Sequence, residues 1–489
     1  MTDTAPASSR FGPALLAASR IWVQLVNAAV LFAVTLALDP ERFGAFMIAA
    51  SAQAALAVLV GHGVYEYVIK ERDRALTAQT AFAFTIASAF AAALLALALS
   101  FALTRILDSP SIGALLRWLA PIFFVSALTV FMESVMIRDG RMSAVAVCTM
   151  IADGVGLVLA LSGLAMGAGV YALVLQRAGR EITLAALFAA SGRWRPRFGF
   201  APAVAADMAR FAGAIVSTRF IANGGQMAMD VSIGALLSVA DAGLFRLANR
   251  ILLIGWDVLY QPLRTSLWAR LPQLKHDAQA YSAAVTQQTE IFALGVFALI
   301  GGIALIAADA LPLAFGPEWT GATVVILVIA IARLLAAVTA PAEVVFGVAN
   351  RTGMLAATVI GGAALNLVSV FVGAPFGLFW TGVAHGAALI IAAALFFPAM
   401  AREAHIAPGA LIALWARLSV NALVMAGAVL IVLYASALAG LGGWPRIAVA
   451  VAAGAVAYMV AARTFTPRGY AAYADAFAAA LARLGVRAR

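Results

Sequence analysis

Long apolar segments follow one another along the whole chain, and they constrain its fold more than any other feature of the sequence. Fourteen of them are separated by short stretches that contain charged residues, proline or glycine. They lie at residues 14–38, 44–67, 80–104, 115–137, 143–165, 168–190, 209–237, 241–263, 284–307, 322–348, 354–373, 376–400, 412–437 and 445–464. A helix needs about 20 mostly apolar residues to cross a bilayer. The sequence therefore predicts an all-α polytopic membrane protein with about 14 transmembrane helices.

The composition excludes the common classes of soluble protein. Of the 489 residues, 64% are hydrophobic and only 11% are charged, whereas soluble domains have about 25% charged residues. A disordered chain, a disulfide scaffold and a large water-soluble catalytic domain are therefore excluded. The single cysteine, Cys148, lies within an apolar segment and gives no information about the redox compartment.

Basic residues are distributed unequally among the predicted loops, and this asymmetry sets the orientation. With residues 1–13 in the cytoplasm, the segments on that side hold 19 Lys and Arg residues and the opposite loops hold four. Because Lys and Arg favour cytoplasmic loops, both termini are predicted to be cytoplasmic. The same bias explains the net charge of +10 without a nucleic-acid partner. The first apolar segment is too long for a signal peptide and is predicted to be a retained span.

Polar residues recur at a fixed interval between the two halves of the chain. A shift of 199 residues aligns Arg20 with Arg219, Gln24 with Asn223, Asn27 with Gln226 and Gly44 with Gly243, and a shift of 210 residues aligns Glu133 with Glu343. Spans 1–6 therefore repeat as spans 7–12, and because paired spans have the same orientation the repeat is parallel. This predicts two parallel six-helix lobes followed by two C-terminal helices.

The repeat gives the expected domain boundaries. They are a cytoplasmic N-terminus at 1–13, an N-lobe at 14–190, a cytoplasmic linker at 191–208, a C-lobe at 209–400, spans 13 and 14 at 412–464, and a tail at 465–489. In the tail, Tyr470, Tyr473, Phe477 and Leu481 recur at helical spacing with arginines nearby. Such a basic amphipathic helix is predicted to lie on the cytoplasmic membrane surface, with partner binding as the alternative.

Motifs for nucleotide hydrolysis and for metal catalysis are missing from the sequence. Neither Lys70 nor Lys275 follows a glycine, as a P-loop lysine would. The four histidines are scattered without the spacing of metal ligands. The longest loops, near 191–208 and 264–283, are too short for a catalytic domain. We therefore predict a protein that is not an enzyme, with no catalytic residue, metal site or cofactor.

Charged side chains inside the predicted spans are the remaining candidates for function. A charge at mid-membrane costs roughly 2.5–3.5 kcal/mol on insertion scales, so it usually faces a cavity or a partner. Guanidinium groups bind pyrophosphate in bidentate fashion, and the candidates for binding an anionic headgroup are Arg20, Arg219, Arg246 and Arg250. The candidates for ion coupling or gating are Asp230, Asp257, Glu290, Glu133 and Glu343. For each residue the alternative is a buried salt bridge between helices.

Several sequence stretches, taken in order, resemble a known family. Asp230 opens D-V-S-I-G-A-L-L-S-V-A-D-A-G-L-F-R-L-A-N-R, and residues 261–274 read Q-P-L-R-T-S-L-W-A-R-L-P-Q-L. Residues 315–322 read F-G-P-E-W-T-G-A, and residues 345–353 read V-F-G-V-A-N-R-T-G. Residues 38–46 read L-D-P-E-R-F-G-A-F. Over roughly residues 14–405 the chain resembles the polysaccharide-transport (oligosaccharide flippase) family of the multidrug/oligosaccharidyl-lipid/polysaccharide exporter superfamily.

The resemblance implies a function and a location. It implies two six-helix lobes around a central cavity, and alternating access for a lipid-linked (undecaprenyl-pyrophosphate) oligosaccharide destined for O-antigen, capsule or exopolysaccharide. It also implies the inner membrane of a Gram-negative bacterium, with membrane lipids and the proteins of polysaccharide polymerisation and export as partners. Arg20, Arg219, Arg246 and Arg250 would then bind the anionic headgroup, and an H⁺ or Na⁺ gradient or substrate turnover would drive transport.

Three other functions are compatible with the sequence. The first is a cation-coupled multidrug exporter of the same superfamily. The second is a membrane glycosyltransferase or polymerase, and the third is a scaffold of an export machine that transports nothing itself. Paired acids in a structured outer loop would favour the second, and full pairing of the charges within the membrane would favour the third.

Overall fold

The computed structural model describes residues 12–70, 75–191 and 199–483, and within these ranges the chain is α-helical with short 3₁₀ turns and loops. Two compact units form, Met1–Gly243 and Leu244–Arg489, and the division falls inside one long helix. Each predicted apolar segment coincides with one helix or with two helices separated by a short turn. The all-helical fold class is therefore confirmed.

The first unit contains nine helices and the first turn of a tenth. They are α1 (Gly12–Ala37), α2 (Pro40–Ala57), α3 (Val64–Lys70), α4 (Ala75–Ile106), α5 (Pro110–Leu119), α6 (Ile122–Arg138), α7 (Met142–Ala165), α8 (Tyr171–Ser191), α9 (Pro202–Leu236) and α10 (Val239–Arg270). Two of the predicted spans in this unit are each interrupted by a short non-α-helical stretch. A 3₁₀ turn at Val58–Val60 separates α2 from α3, and Ala120 and Pro121 separate α5 from α6. Proline breaks a helix because it lacks a backbone N–H and clashes with the preceding turn.

The second unit contains the rest of α10 and eight further helices. They are α11 (Ala278–Phe315), α12 (Gly321–Ala336), α13 (Ala342–Val348), α14 (Thr352–Gly373), α15 (Leu378–Glu403), α16 (Pro408–Leu438), α17 (Gly443–Phe465) and α18 (Pro467–Arg483). The 38-residue helix α11 begins after Asp277, whose carboxylate accepts hydrogen bonds from the backbone N–H groups of Gln279 and Ala280. These bonds satisfy two of the donors that every helix N-terminus leaves open.

Ten of the described helices, counting the broken pairs as one, are long and apolar enough to cross a membrane. Their outer faces carry large exposed apolar side chains, such as Leu423 at 70% and Ile431 at 69% exposure, as expected for contact with lipid. The predicted spans that fall outside the ten are α1, α8, α9 and α10. Of these, α9 and α10 carry five of the nine charged candidate residues, and the crossing of the membrane by all four helices stays a prediction.

The first turns of α2 and α10 approach each other closely at two glycines. A Cβ added to Gly44 would lie 2.9 Å from the backbone nitrogen of Gly243 and would overlap the carbonyl oxygen of Val239. A Cβ added to Gly243 would lie 3.0 Å from the nitrogen of Gly44 and would overlap the carbonyl oxygen of Pro40. The 199-residue shift aligns these same residues, Gly44 with Gly243 and Pro40 with Val239. The contact therefore agrees with the predicted repeat, and it leaves no room for larger side chains.

Candidate functional site

Three arginines and one aspartate act on one another electrostatically in the second unit. Arg246, Arg250 and Asp257 lie on α10, where their spacing places them on one helical face. The charge of Arg250 interacts with those of Arg246 and Asp257, and Asp257 also interacts with Arg333 on α12. We call these four residues the arginine cluster. The cluster comprises three cations and one acid on apolar helices, and Arg246 has a further interaction within the protein.

Arg333 is held in place by two neighbours on α10. Its guanidinium donates a hydrogen bond of 3.0 Å to the side-chain oxygen of the buried Asn249 and lies 5.6 Å from the ring of Trp256. The buried His385 on α15 packs edge-on against Phe245 and interacts with the charge of Arg333. The sequence showed Arg333 as one more charge inside a span but gave no partner for it. The sequence feature that could have indicated this partner is Asn249, a polar residue in an apolar stretch directly before Arg250.

This arrangement can bind an anion. Guanidinium groups donate several hydrogen bonds in a fixed plane and remain charged at any physiological pH. Where charges are removed from water, hydrogen bonds to an ionised group contribute about 1.5–3 kcal/mol each. Among the described residues no group of three or more His, Cys, Asp and Glu is placed to hold a metal ion.

Arg219, the candidate of the first unit, is ion-paired in the structure. Its guanidinium lies 3.1 Å from a carboxylate oxygen of Glu66 on α3, and 48% of its side chain is exposed. The other oxygen of Glu66 accepts a 2.7 Å hydrogen bond from the backbone N–H of Gly63. The side chain of Arg20, the predicted repeat partner of Arg219, lies outside the described part of the structure. The pairing of Arg219 was not predicted, because Glu66 is 153 residues away in the sequence.

The pair gives a test of the role of Arg219. Half-exposed ion pairs contribute at most about 1 kcal/mol to stability, so Arg219→Ala should leave the protein folded. If Arg219 binds the substrate, Arg219→Ala should abolish glycan export, whereas Glu66→Gln should largely preserve it. The double variant Arg219→Glu with Glu66→Arg, which reverses both charges of the pair, should not restore export. Surface polysaccharide is the readout, with membrane levels of each variant as the control. Restored export in the charge-reversed protein would show that Arg219 serves only as the partner of Glu66.

The two glutamates that the 210-residue shift aligns each have a tyrosine as a partner. Glu133 on α6 accepts a hydrogen bond of 3.5 Å from the hydroxyl of Tyr65 on α3. Glu343 on α13 accepts one of 2.7 Å from the hydroxyl of Tyr260 on α10, and Arg264 lies 3.1 Å from its other oxygen. In each unit a tyrosine thus ties the glutamate to another helix near the predicted cytoplasmic ends. This geometry is compatible with the predicted gating role, which stays a prediction.

The buried acid Asp230 on α9 has a neighbour one turn earlier on the same helix. It is fully buried and accepts a hydrogen bond of 3.1 Å from the side-chain amide of Gln226. Gln226 is one of the polar residues that the 199-residue shift aligns, in this case with Asn27. A role of Asp230 in ion coupling is not tested by this contact.

Glu290, a coupling candidate, holds the C-terminal helix in place. Its carboxylate accepts a hydrogen bond of 2.9 Å from the backbone N–H of Gly469 in the first turn of α18. Four residues further along α18, the hydroxyl of Tyr473 donates a 3.0 Å hydrogen bond to the carbonyl of Ile291. A carboxylate at a helix N-terminus satisfies an open donor and is favoured by the helix dipole. The tail helix therefore docks on α11, and its predicted contact with the membrane surface stays a prediction.

Loss of this carboxylate should loosen the tail helix. Removal of a helix-capping group costs about 1 kcal/mol, which corresponds to a roughly fivefold increase in opening. We expect Glu290→Ala to speed hydrogen exchange in α18 by about this factor, measured by mass spectrometry on the full-length protein in detergent. Asp475→Ala removes an exposed acid from the same helix and should leave exchange unchanged. Equal exchange in Glu290→Ala and the wild type would contradict the capping role.

A second polar group, in the first unit, was not singled out from the sequence. Arg180 on α8 lies 2.5 Å from a carboxylate oxygen of the buried Asp153 on α7 and 2.5 Å from Glu181. The other oxygen of Glu181 accepts a hydrogen bond of 3.0 Å from Thr129 on α6. A small polar cavity of about 230 Å³ beside Asp153 and Arg180 is also lined by Asn27. This network links α6, α7 and α8, as the salt-bridge alternative predicts for charges inside spans.

The fold defines the class of the protein, an all-helical multi-pass membrane protein. It is similar to the lipid II flippase MurJ in an inward closed conformation, with a TM-score of 0.69 and 12% identity over 93% of this chain and 98% of that one. It is also similar to an inward-facing multidrug resistance transporter of the MATE family, itself a member of the MOP superfamily, with a TM-score of 0.56 and 14% identity over 78% and 94% of the two chains. At these identities the similarity establishes the fold alone.

The sequence profile of the polysaccharide biosynthesis protein family matches residues 36–324, and the chain belongs to this family. The family resemblance drawn from the sequence motifs is thereby confirmed. A curated relative, the succinoglycan biosynthesis transport protein ExoT of Rhizobium meliloti (strain 1021), is 26% identical over 301 residues. The match covers 60% of this chain and 60% of the length of that relative.

Proposed function

We propose that this protein is a flippase that moves a lipid-linked oligosaccharide, carried on undecaprenyl pyrophosphate, across the inner membrane for surface polysaccharide. The observation that carries the proposal is the arginine cluster, which places three guanidinium groups close together on apolar helices of a family connected with polysaccharide biosynthesis. A diphosphate headgroup carries the complementary charge, and guanidinium groups match its geometry. The name of the relative, a succinoglycan biosynthesis transport protein, supports an exopolysaccharide as the cargo.

Transport by alternating access follows from the same proposal. The chain would consist of about 14 spans in two parallel six-helix lobes with two further helices, and the headgroup would be bound in an arginine-lined cavity by Arg20, Arg219, Arg246 and Arg250. The agreement between the glycine contact and the 199-residue shift supports the repeat. Both termini would be cytoplasmic. An H⁺ or Na⁺ gradient is the proposed energy source, with Asp230 as a candidate for the coupling residue.

The second candidate function is export of drugs coupled to a cation, which the fold also permits. Drugs carried by multidrug exporters are usually cations, and a site that contains several arginines is poorly suited to a cation. The three guanidinium groups of the arginine cluster therefore favour the anionic substrate. Polymerisation and export proteins of the polysaccharide pathway are the proposed partners.

A deletion strain tests the proposed function. We expect lipid-linked oligosaccharide to accumulate on the inner leaflet and surface polysaccharide to be lost, both restored by the wild-type gene. Mass spectrometry of the lipid-linked pool identifies the cargo at the same time. An unchanged pool together with new sensitivity to cationic drugs would contradict the flippase function and favour the drug exporter.

A further inference from the structure

A groove on the first unit runs between α8 and the broken pair α5 and α6. Its volume is about 620 Å³, which lies within the range of about 300–1,000 Å³ typical of ligand sites. Pro121, at the break between α5 and α6, forms part of its wall. The break therefore shapes the groove.

The groove presents almost only apolar side chains. Trp118, Ile122 and Val125 line one side, and Tyr171, Leu175 and Ile182 of α8 line the other. Four of these six are exposed, Trp118 at 64% and Ile182 at 57% among them. Apolar side chains around a concave surface within a membrane are suited to a hydrocarbon chain.

Both carboxylate oxygens of the acidic residue in the lining already have partners in the protein. This residue is Glu181, which pairs with Arg180 at 2.5 Å through one oxygen and accepts a 3.0 Å hydrogen bond from Thr129 through the other. Its charge is thus compensated within the protein. The lining therefore favours an apolar ligand over a charged headgroup.

The length of the groove corresponds to one leaflet of the bilayer. From Tyr171 to Ile182 the helix advances 11 residues, or about 16 Å at 1.5 Å per residue. Half of the hydrocarbon core is about 15 Å thick. On the predicted topology α8 begins at the outer side, so the groove lies in the outer leaflet.

We propose that this groove binds the isoprenoid chain of the lipid-linked substrate in the outer leaflet. The assignment rests on the proposed function, because a polyprenyl carrier is the source of the chain. It locates the lipid part of the substrate on the first unit, separately from the headgroup. Bulk phospholipid acyl chains are the competing occupant, and the test separates the two.

Photocrosslinking in proteoliposomes tests the occupant. A photoreactive amino acid replaces Leu175 in the groove or, as the control, Val158, which is 63% exposed on α7 and does not line the groove. The vesicles contain phosphatidylethanolamine, phosphatidylglycerol and polyprenyl diphosphate as the probe. We expect about tenfold more isoprenoid adduct at position 175 than at position 158. This ratio corresponds to a Kd of the isoprenoid chain that is about tenfold lower in the groove than at the control position. Equal adducts at the two positions, or phospholipid adducts alone at position 175, would overturn the assignment.

Filling the groove is the second test. Ala178→Trp places a large ring among the lining residues, whereas Ala186→Trp places the same ring on an exposed position of α8 beyond the groove. The first variant should lose the isoprenoid adduct and the second should keep it. If the wild type flips the substrate without forming this adduct, the groove assignment alone is wrong. If the wild type neither binds nor flips polyprenyl-linked substrates, the proposed function fails as well.

Discussion

Gly44→Ala should markedly lower the stability of the protein. The new methyl group would overlap the carbonyl oxygen of Val239, a backbone atom that cannot move without shifting α10. Overpacking of this kind costs about 3 kcal/mol, and the better helix propensity of alanine returns about 1 kcal/mol. The net loss of about 2 kcal/mol should appear as a lower unfolding temperature in detergent. Gly243→Ala, which would overlap the carbonyl of Pro40, should behave in the same way.

Gly213→Ala is the matched control for these two variants. Gly213 lies in α9 of the same unit, and a Cβ added there meets no atom within 4 Å. It therefore gains helix propensity without a clash, and its unfolding temperature should equal or exceed that of the wild type. If Gly44→Ala unfolds at the temperature of Gly213→Ala, the close approach of α2 and α10 does not exist in the native protein.

Removal of two cations from the arginine cluster should have the largest effect on function. Each charge-assisted hydrogen bond contributes about 1.5–3 kcal/mol, so Arg246→Ala with Arg250→Ala should weaken binding of polyprenyl diphosphate by at least about 3 kcal/mol, or roughly 160-fold in Kd. The affinity can be measured on the purified protein by native mass spectrometry. Arg→Lys at both positions should recover only part of the loss, because lysine cannot form the bidentate contact.

The control must remove an arginine without touching the cluster. Arg351 is suitable because its side chain is 58% exposed and lies 2.8 Å from Glu403. Arg351→Ala should leave the affinity for polyprenyl diphosphate unchanged. A similar loss of affinity in both proteins would indicate a non-specific effect of charge and would remove Arg246 and Arg250 from the site.

The sequence was sufficient for the features that depend on local pattern. The fourteen apolar segments coincide with helices because hydrophobicity and length determine which stretches become helical in a membrane. Four of the five family motifs, F-G-P-E-W-T-G-A at 315–322 among them, lie within residues 36–324, which the family profile matches, and the motif at 345–353 lies outside. The breaks at Pro121 and before Pro341 follow from the chemistry of proline, although the sequence analysis placed continuous spans there.

The partners of the charged residues could not be obtained in the same way. Glu290 contacts Gly469 across 179 residues, and Arg333 contacts Asn249 across 84. Such pairs depend on how helices pack, and composition or spacing along one helix does not specify them. For this reason the sequence gave no indication that the carboxylate of Glu290 caps α18, and its predicted role in coupling stays a prediction. Within α10, by contrast, helical spacing correctly placed Arg246, Arg250 and Asp257 on one face.

Flipping by the purified protein is the most direct test of the central claim. The full-length chain is reconstituted into vesicles that contain a fluorescent polyprenyl-diphosphate oligosaccharide, and a membrane-impermeant quencher reports the fraction in each leaflet. We expect the wild type and Arg351→Ala to move the lipid between leaflets, and the Arg246→Ala, Arg250→Ala double variant to leave it where it started. Equal flipping by the double variant and the wild type would contradict binding of the headgroup by these arginines. If the wild type does not flip the lipid under an imposed H⁺ or Na⁺ gradient, the flippase function itself is contradicted.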